Sequence, residues 1–420
     1  MKVAIFGIGY VGFTAACCIA SQGHIVVGVD VSESKVADVN AGRPPFEETG
    51  LADLMAEQIA AKRLTATRDV AAALDTADIA MVCVGTPSGP DGAHDMRFIV
   101  EVTRQIALVA RGRAGRLTVA YRSTMRPGTM RKLIVPIFRS QIGVDWEARV
   151  TLVYNPEFLR EAQAIHDYFH PARIVIGTAN GTPDTAMEAL NEGIVAPVFI
   201  TTFEEAEMTK FVDNTWHAVK VTYANEIGRI CASLGISAQR AHEIFIADTK
   251  LNISSYYTRP GGAFGGSCLP KDVRALQHIA TDVGANGHLI DSILRSNEAH
   301  KNYLYTTIVA QLPPKARVLM AGLTFKAGTD DLRESPNVDI ARKLIEAGHH
   351  VSVFDPGLVP AKLRGQNLGY AYTHLPTIDT LLVGKVTAEA GPWDLVVASN
   401  STAALLNLLS WPIIATDTIP

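Results

Sequence analysis

The chain has 420 residues, a length typical of two or three domains rather than of a single hydrophobic core. Its 38 lysine and arginine residues nearly balance 42 aspartate and glutamate residues, which gives a net charge of -4. The sequence contains no long run of like charge, so a nucleic acid partner is not expected.

Cysteine usage and the first residues limit the class of protein further. The five cysteines are Cys17, Cys18, Cys83, Cys231 and Cys268. Their number is odd and their spacings are not those of zinc sites, so we expect neither a disulfide framework nor a metal site. The first strand runs directly into a glycine turn, without the uninterrupted apolar segment of a signal peptide. We therefore expect a cytoplasmic protein with no membrane partner.

The N-terminal part alternates short β-branched runs with helical patterns. Strands are predicted at residues 3–6, 24–30, 79–84, 117–121, 151–154 and 173–177. This alternation is typical of a mostly parallel sheet that is covered by helices on both faces. We expect the resulting doubly wound domain to span residues 1–201.

The middle of the chain has a different pattern. Residues 202–234 contain no proline and predict one long helix, and residues 238–245 predict another. A helical central domain is therefore expected over residues 202–300.

The strand and helix alternation returns after Pro313-Pro314. Strands are predicted at residues 317–322, 350–355 and 394–398, with a helix at 338–346. The fold class predicted for the whole chain is α/β, with two Rossmann-like doubly wound parallel-sheet domains joined by a helical central domain with a long connecting helix. The second α/β domain is expected over residues 301–420.

A glycine motif follows the first predicted strand. Gly7, Gly9 and Gly12 open a helix, where glycines permit a tight turn and close approach of a pyrophosphate. Asp30 ends the next strand, and its carboxylate can accept the ribose hydroxyls of NAD and repel the extra phosphate of NADP. The motif predicts an NAD site, and a glycine turn that only packs is the alternative.

Two threonines follow later strands of the same predicted sheet. Thr86 and Thr124 are expected near the cofactor because ligands of such folds bind at the carboxyl ends of strands. Lys35 begins the next helix and has weaker support, since a surface lysine there is ordinary.

The candidate nucleophile is Cys268. Gly265, Gly266 and Ser267 precede it and would leave its sulfur accessible, while Lys271 would favour the thiolate. A buried structural thiol is the alternative. The other four cysteines lie in helical or strand patterns and are interpreted as small core residues.

A stripe of residues on the long predicted helix shares one face because of its spacing. Its members are Lys210, Asn214, His217, Val221 and Asn225. A solvated face is the alternative interpretation. Lys210 and Asn214 are the kinds of donor that stabilise an oxyanion at a carbonyl carbon.

Two further segments carry side chains suited to acid/base catalysis or to ligand binding. Glu157 and Glu161 follow a strand and offer carboxylates four residues apart, as a general base would require. Tyr256, Tyr257 and Arg259 precede the cysteine loop and combine aromatic faces with a fixed cation. They suit a sugar diphosphate, or alternatively a subunit contact.

These residues together resemble the UDP-glucose/GDP-mannose 6-dehydrogenase family. The resemblance extends over essentially the whole chain, and its main motifs are residues 7–12, 84–87, 122–124, 155–161, 264–272 and 325–336. Within the family, residues 214–228 and 255–261 look more like the GDP-mannose branch than the UDP-glucose branch. The last residues, 417–420, differ from the family's common Asp-Leu-Val-Gly. This difference concerns the edge of the domain that recognises the base, and it also concerns the oligomer.

The resemblance implies a four-electron oxidation. The C6 alcohol of a nucleotide sugar would be oxidised to the acid by two NAD molecules, through a thiohemiacetal and a thioester on a cysteine. GDP-mannose is the favoured substrate, and UDP-glucose or a UDP-N-acetylhexose is the alternative. A two-electron hydroxy acid dehydrogenase and an NAD-sensing protein remain competing classes, although both leave Cys268 unexplained. The family also implies a homo-oligomer built from dimers with shared active sites.

Roles are implied for individual residues by the same resemblance. The catalytic residues would be Cys268 as nucleophile, Lys210 and Asn214 as oxyanion donors, and Glu161 and Asp272 as acid/base or water-positioning groups. The NAD-binding residues, besides the glycines, would be Tyr10, Val11, Asp30, Lys35, Thr86, Thr124, Lys271 and Arg333. The substrate-binding residues would be Glu161, Lys210, Asn214, His217, Asn225, Tyr256, Tyr257, Arg259, Gly262, Gly265 and Lys326.

Overall fold

The computed structural model describes residues 1–87, 94–160, 162–254, 261–266, 268–326, 329–363 and 365–419. It divides into two compact units, Met1–His217 and Ala218–Pro420. The finer division into three domains stays a prediction.

An eight-stranded sheet forms the centre of the first unit, with the strand order β3-β2-β1-β4-β5-β6-β7-β8. Its strands are β1 (Lys2–Phe6), β2 (Ile25–Val29), β3 (Leu64–Thr67), β4 (Ile79–Val82), β5 (Leu117–Tyr121), β6 (Val150–Tyr154), β7 (Ile174–Thr178) and β8 (Val198–Thr202). The first six strands are parallel, whereas β7 is antiparallel to β6 and parallel to β8.

Helices cover both faces of this sheet. They are α1 (Tyr10–Ser21), α2 (Glu33–Asn40), α3 (Leu51–Ala60), α4 (Val70–Leu74), α5 (Arg97–Gly112), α6 (Val135–Ile142), α7 (Ala164–Phe169), α8 (Thr185–Leu190) and α9 (Phe203–Ser233). Val3 and Ile5 of β1 pack into one hydrophobic cluster, and Ala4 and Phe6 pack into another. Since successive side chains of a strand point to opposite faces, the two clusters lie on opposite sides of the sheet.

The start of α9 is fixed firmly to the first unit. A Cβ atom on Gly177 in β7 would lie 2.6 Å from Cβ of Ala206, so the helix packs against bare strand backbone. The buried carboxylate of Glu207 accepts the backbone N–H groups of Gly128 at 2.5 Å and Met130 at 2.7 Å. Burial raises the pKa of Glu207 to about 7. These contacts set the position from which Lys210 projects.

The second unit contains a parallel four-stranded sheet with the order β10-β9-β11-β12. Its strands are β9 (Arg317–Ala321), β10 (His350–Phe354), β11 (Leu395–Ala398) and β12 (Ile413–Ala415). Its helices are α10 (Ala238–Ile246), α11 (Leu269–Asp282), α12 (His288–Val309), α13 (Pro336–Glu346), α14 (Gly365–His374), α15 (Ile378–Leu381) and α16 (Lys385–Ala390).

A small helical core joins α9, α11 and α12 within the second unit. Ile230, Ala280 and Ile290, one from each helix, form its buried centre. Glu226 on α9 is also buried, and its carboxylate accepts the backbone N–H groups of Leu289 at 2.8 Å and Ile290 at 3.0 Å. A carboxylate at this position satisfies the free donors of the first turn of α12.

The predicted fold class is confirmed, with one mostly parallel sheet, one parallel sheet and a helical region between them in sequence. The long predicted helix at 202–234 is α9, and the helix predicted at 238–245 is α10. The short strands β3, β8 and β12 had no counterpart in the sequence prediction. None of the described helices is long and apolar enough to cross a membrane.

Candidate functional site

The three glycines of the turn have two different roles. Gly7 has φ +90°, and a Cβ atom there would lie 3.0 Å from the backbone of Val84. A Cβ atom on Gly12 would lie 2.0 Å from the carbonyl oxygen of Gly7, so these two positions require glycine for the turn itself. A Cβ atom on Gly9 would meet nothing within 4 Å. The space beside Gly9 is therefore open for a ligand at the start of α1.

Asp30 is oriented by the same turn. Its Oδ2 atom accepts the backbone N–H of Ile8 at 3.1 Å, and its Oδ1 atom accepts that of Ser32 at 2.9 Å. The Nζ atom of Lys35 lies 3.8 Å from Oδ2, so the two predicted cofactor residues are neighbours. Each carboxylate oxygen keeps a lone pair for a ribose hydroxyl.

Tyr10 and Val11 form the first turn of α1. The Tyr10 hydroxyl donates to Oε2 of Glu48 at 2.6 Å, and Glu48 also accepts the backbone N–H groups of Ala162 and Ala164. Burial alone would raise the pKa of Glu48, but these hydrogen bonds together lower it below its ordinary value. Sequence reasoning missed Glu48, because only the fold brings residues 10, 48 and 162 together.

The two predicted threonines meet at the carboxyl ends of β4 and β5. The Thr86 hydroxyl donates to the carbonyl oxygen of Thr124 at 2.9 Å, and both residues are half-buried. The neighbouring Ser123 hydroxyl donates to the carbonyl oxygen of Val84 at 2.6 Å. Thr86 and Thr124 thus lie on the strand edge where such folds bind their ligands.

Lys210 is held by Glu157. Its Nζ atom donates to Oε1 of Glu157 at 2.9 Å and to the carbonyl oxygen of the same residue at 2.8 Å, and both side chains are largely buried. Asn214, His217 and Asn225 follow on the same helix and are exposed. The Lys210–Glu157 ion pair was not predicted, although the sequence had marked Glu157 as one of two carboxylates after β6.

Cys268 lies directly before α11, at its N-cap position, and its side chain is exposed. Lys271 and Asp272 lie in the first turn, where they form an exposed ion pair of 3.3 Å. The pKa of Arg333 is raised mainly by its hydrogen bond to Asp331, and the charge of a Cys268 thiolate adds to this effect. Arg333 is therefore a second cation near the thiol.

The loop before Cys268 is fixed by contacts that only its own residues permit. Asn297 of α12 accepts the backbone N–H of Phe264 at 3.0 Å and donates to its carbonyl oxygen at 2.9 Å. A Cβ atom on Gly265 would lie 2.3 Å from the carbonyl oxygen of Glu334. Gly266 has φ +83°, and a Cβ atom there would lie 2.9 Å from the Phe325 ring. The loop consequently packs directly against the segment that follows β9.

A cavity of about 1110 Å³ lies beside this loop in the second unit. Gly262 and Lys326, both predicted to bind substrate, contribute to its wall. The remaining lining includes residues to which the sequence analysis gave no individual site role, among them Phe264, Phe325, His300, Ser399, Asn400 and Asp417. A cavity of this size accommodates a nucleotide-sized ligand.

Four predicted site residues, Glu161, Tyr256, Tyr257 and Arg259, lie outside the described residues. Within the described ranges, no group of three or more histidine, cysteine, aspartate or glutamate side chains could hold a metal ion.

The cysteines other than Cys268 lie inside the fold, as the sequence indicated. Cys17, Cys18 and Cys231 are buried, and Cys83 is half-buried. Burial raises the pKa of the Cys17 thiol to about 12 and also raises that of Cys18. Neither thiol is suited to act as a nucleophile at neutral pH.

A mostly parallel sheet, a glycine turn that opens a helix and an acid after the second strand are typical of a nicotinamide-dependent dehydrogenase. Comparison with known proteins identifies the group more closely. The UDP-glucose/GDP-mannose dehydrogenase family matches with its NAD binding domain over residues 1–195, its central domain over 204–299 and its UDP binding domain over 319–389. The chain belongs to this family.

Individual relatives agree with this assignment. A GDP-mannose 6-dehydrogenase of Pseudomonas putida is 41% identical over 404 residues, which cover 95% of this chain and 91% of the relative. A UDP-glucose 6-dehydrogenase of Bacillus subtilis is 32% identical, with 98% of this chain and 84% of the relative covered. The crystal structure of a ternary complex of GDP-mannose dehydrogenase from Pseudomonas aeruginosa has a TM-score of 0.92 and 37% identity, covering 99% of this chain and 96% of that one.

The predicted cofactor and enzyme class are confirmed by these comparisons. The chain is an NAD-dependent nucleotide-sugar dehydrogenase. NAD fits the residues of the first unit, because Gly9 leaves open space at the start of α1 and Asp30 presents oriented carboxylate oxygens.

The two glycines of the turn provide a matched pair of variants. Gly9→Ala is expected to keep the wild-type melting temperature, since its new methyl group meets no protein atom, but to weaken NAD binding about 10-fold or more by obstructing the pyrophosphate. Gly12→Ala is expected to lower both the melting temperature and NAD affinity, because its methyl group would overlap the Gly7 carbonyl. Thermal unfolding and NAD titration measure the two effects. Wild-type NAD affinity in Gly9→Ala would contradict this assignment.

Proposed function

We propose that the protein oxidises GDP-mannose to GDP-mannuronate. The observation that carries this proposal is the accessible thiol of Cys268 at a helix N-terminus, on a loop packed against the wall of a nucleotide-sized cavity. Similarity supports GDP-mannose as the substrate, since identity is 41% to the Pseudomonas putida GDP-mannose enzyme and 32% to the Bacillus subtilis UDP-glucose enzyme.

The proposed reaction has two oxidations and one hydrolysis. NAD, when bound, accepts the hydride in each oxidation. The C6 alcohol first loses a hydride and a proton to give the aldehyde. The Cys268 thiolate then forms a C–S bond with this carbon, and the oxygen gains a proton, which gives a thiohemiacetal. Loss of a second hydride and a proton gives the thioester, and water cleaves the C–S bond to release the acid and the thiol.

Lys210 is proposed to stabilise the oxyanion that develops at C6. Its present partner, the Glu157 carboxylate, keeps the ammonium group oriented in a largely buried place. Asn214 is proposed as the second donor, because it lies one helical turn further along α9. Glu161 and Asp272 are proposed as the acid/base groups, and Asp272 lies one turn after Cys268.

The remaining proposed binding roles follow the family resemblance. The groups assigned to NAD are Gly7, Gly9, Tyr10, Val11, Gly12, Asp30, Lys35, Thr86, Thr124, Lys271 and Arg333. Those assigned to the sugar nucleotide are Glu161, Lys210, Asn214, His217, Asn225, Tyr256, Tyr257, Arg259, Gly262, Gly265 and Lys326.

The protein is further proposed to form homo-oligomers built from dimers with shared active sites, in the cytoplasm, and to serve polysaccharide biosynthesis. Support for a dimer comes from large apolar side chains that are exposed in the helical region. They are Val219, Val221, Ile244, Phe245, Ile246, Leu251 and Ile253. Exposed apolar residues at this density are typical of a surface that is covered in an assembly.

The substrate is tested by counting NADH produced per sugar consumed with GDP-mannose, UDP-glucose and UDP-N-acetylhexoses in separate reactions. Two NADH per GDP-mannose are expected, because the alcohol is oxidised twice. Production of two NADH only with a UDP-sugar would support the proposed chemistry but would overturn GDP-mannose as the substrate. One NADH per sugar would contradict the four-electron reaction.

The nucleophile is tested by Cys268→Ser. This variant is expected to release acid about 10³-fold more slowly or not at all, since removal of a covalent nucleophile costs at least this much. Cys231→Ala is the matched control, because it removes a buried thiol from the helical core and should retain the wild-type rate of acid release per folded molecule. Full acid production by Cys268→Ser would exclude a covalent role for this residue.

The assembly is tested by light scattering on purified protein. A dimer or a multiple of it is expected, in units of the 45.1 kDa chain. Val221→Glu with Ile244→Glu should shift the protein towards smaller species, because burying a charge without a partner is unfavourable. A monomeric wild-type protein at micromolar concentration would contradict the proposal.

A further inference from the structure

We infer that the carboxylate of Asp417 selects guanine as the base of the sugar nucleotide. This inference rests on the proposed function, since it concerns the base of the proposed substrate. It depends on where Asp417 lies in the cavity of the second unit and on which groups around it are already hydrogen bonded.

Asp417 lies at the edge of the sheet where a ligand of this fold binds. Strands β9, β11 and β12 are parallel neighbours, so their carboxyl ends meet at one edge. Lys326, Asn400 and Asp417 follow these three strands, and all three line the cavity. Ligands of open parallel sheets bind at this edge.

The carboxylate also lies beside the segment that leads to the cysteine loop. A Cβ atom on Gly262 would lie 3.4 Å from Oδ1 of Asp417, and one on Gly261 would lie 3.2 Å from its carbonyl oxygen. Asp417 and the predicted substrate residue Gly262 therefore form adjacent parts of one wall. A larger residue at position 262 would reach the carboxylate and narrow the cavity.

Two other polar groups of the wall, on Asn400 and His300, are already hydrogen bonded. The Asn400 amide accepts the backbone N–H of Thr402 and donates to the carbonyl oxygen of Thr324. The His300 ring nitrogen Nε2 lies 2.7 Å from the carbonyl oxygen of Gly261. The Asp417 side chain is exposed, and among the described residues its carboxylate has neither a hydrogen-bond donor nor an ion-pair partner. It is thus available to accept hydrogen bonds from a ligand.

Guanine is the base that a carboxylate recognises best. Its N1–H and its 2-amino group are adjacent donors that match the two oxygens of one carboxylate, and such charge-assisted pairs are strong. Uracil offers a single N–H between two carbonyl oxygens. A carboxylate would repel both of these oxygens. Phe264 and Phe325 line the same cavity and provide aromatic faces on which a base can stack.

The test measures binding of GDP, IDP, UDP and XDP to the full-length protein by calorimetry. IDP lacks only the 2-amino group, so wild-type protein is expected to prefer GDP to IDP by about 10-fold. Asp417→Ala should bring this ratio close to one. Asp417→Asn should lose GDP affinity but gain XDP affinity by about 10-fold, because its amide N–H can donate to the 2-carbonyl oxygen of xanthine.

Asp282→Asn is the matched control. It makes the same change in charge at an exposed position of α11 that does not line the cavity, and it should leave all four affinities unchanged. An equal loss of affinity for all four nucleotides in both Asp417 variants would overturn the inference. An unchanged ratio of GDP affinity to IDP affinity would also overturn it. A protein that oxidises GDP-mannose but shows an unchanged ratio would refute only the role of Asp417, whereas turnover of UDP-sugars alone would refute the proposed substrate.

Discussion

The cysteine loop can occupy its place only because two of its residues lack a side chain. Gly265 and Gly266 bring the loop backbone against Glu334 and the Phe325 ring, at distances where a Cβ atom would overlap. Asn297 then fixes the preceding residue, Phe264, by both of its backbone groups. The thiol is therefore presented by a constrained backbone, and the nucleophile proposed here would gain from such preorganisation.

The segment that receives this loop is itself organised by one buried carboxylate. The Oδ2 atom of Asp355 accepts the backbone N–H groups of Leu323 and Thr324 and the Thr324 hydroxyl. This arrangement fixes the chain directly after β9, where Phe325 and Lys326 follow. Removal of these hydrogen bonds would leave buried polar groups without partners. Asp355 therefore supports both the cavity wall and the segment that the cysteine loop contacts.

The sequence was sufficient for features that depend on local pattern. The strand predicted at residues 117–121 is β5 without any shift, and α9 begins and ends within one residue of its prediction. Strand β12 has three residues and β3 has four, which is too short for a periodic signal. The pairing of Lys210 with Glu157 was also beyond local pattern, because 53 residues separate the two side chains. Asp417 lies in the cavity wall because of the order of the strands in the sheet, and no local motif predicts that order.

The two sheets differ in what the end of their first strand leaves available to a ligand. In the first unit, Asp30 accepts one backbone N–H from the turn and α1 begins at Tyr10, so the helix N-terminus is available for a pyrophosphate. In the second unit the Oδ2 atom of the corresponding acid, Asp355, already accepts three protein donors, and α13 begins only at Pro336. No helix N-terminus follows β9 directly in the described chain. The diphosphate of the proposed substrate would therefore need side-chain cations at this second edge, and Lys326 is one that lines the cavity.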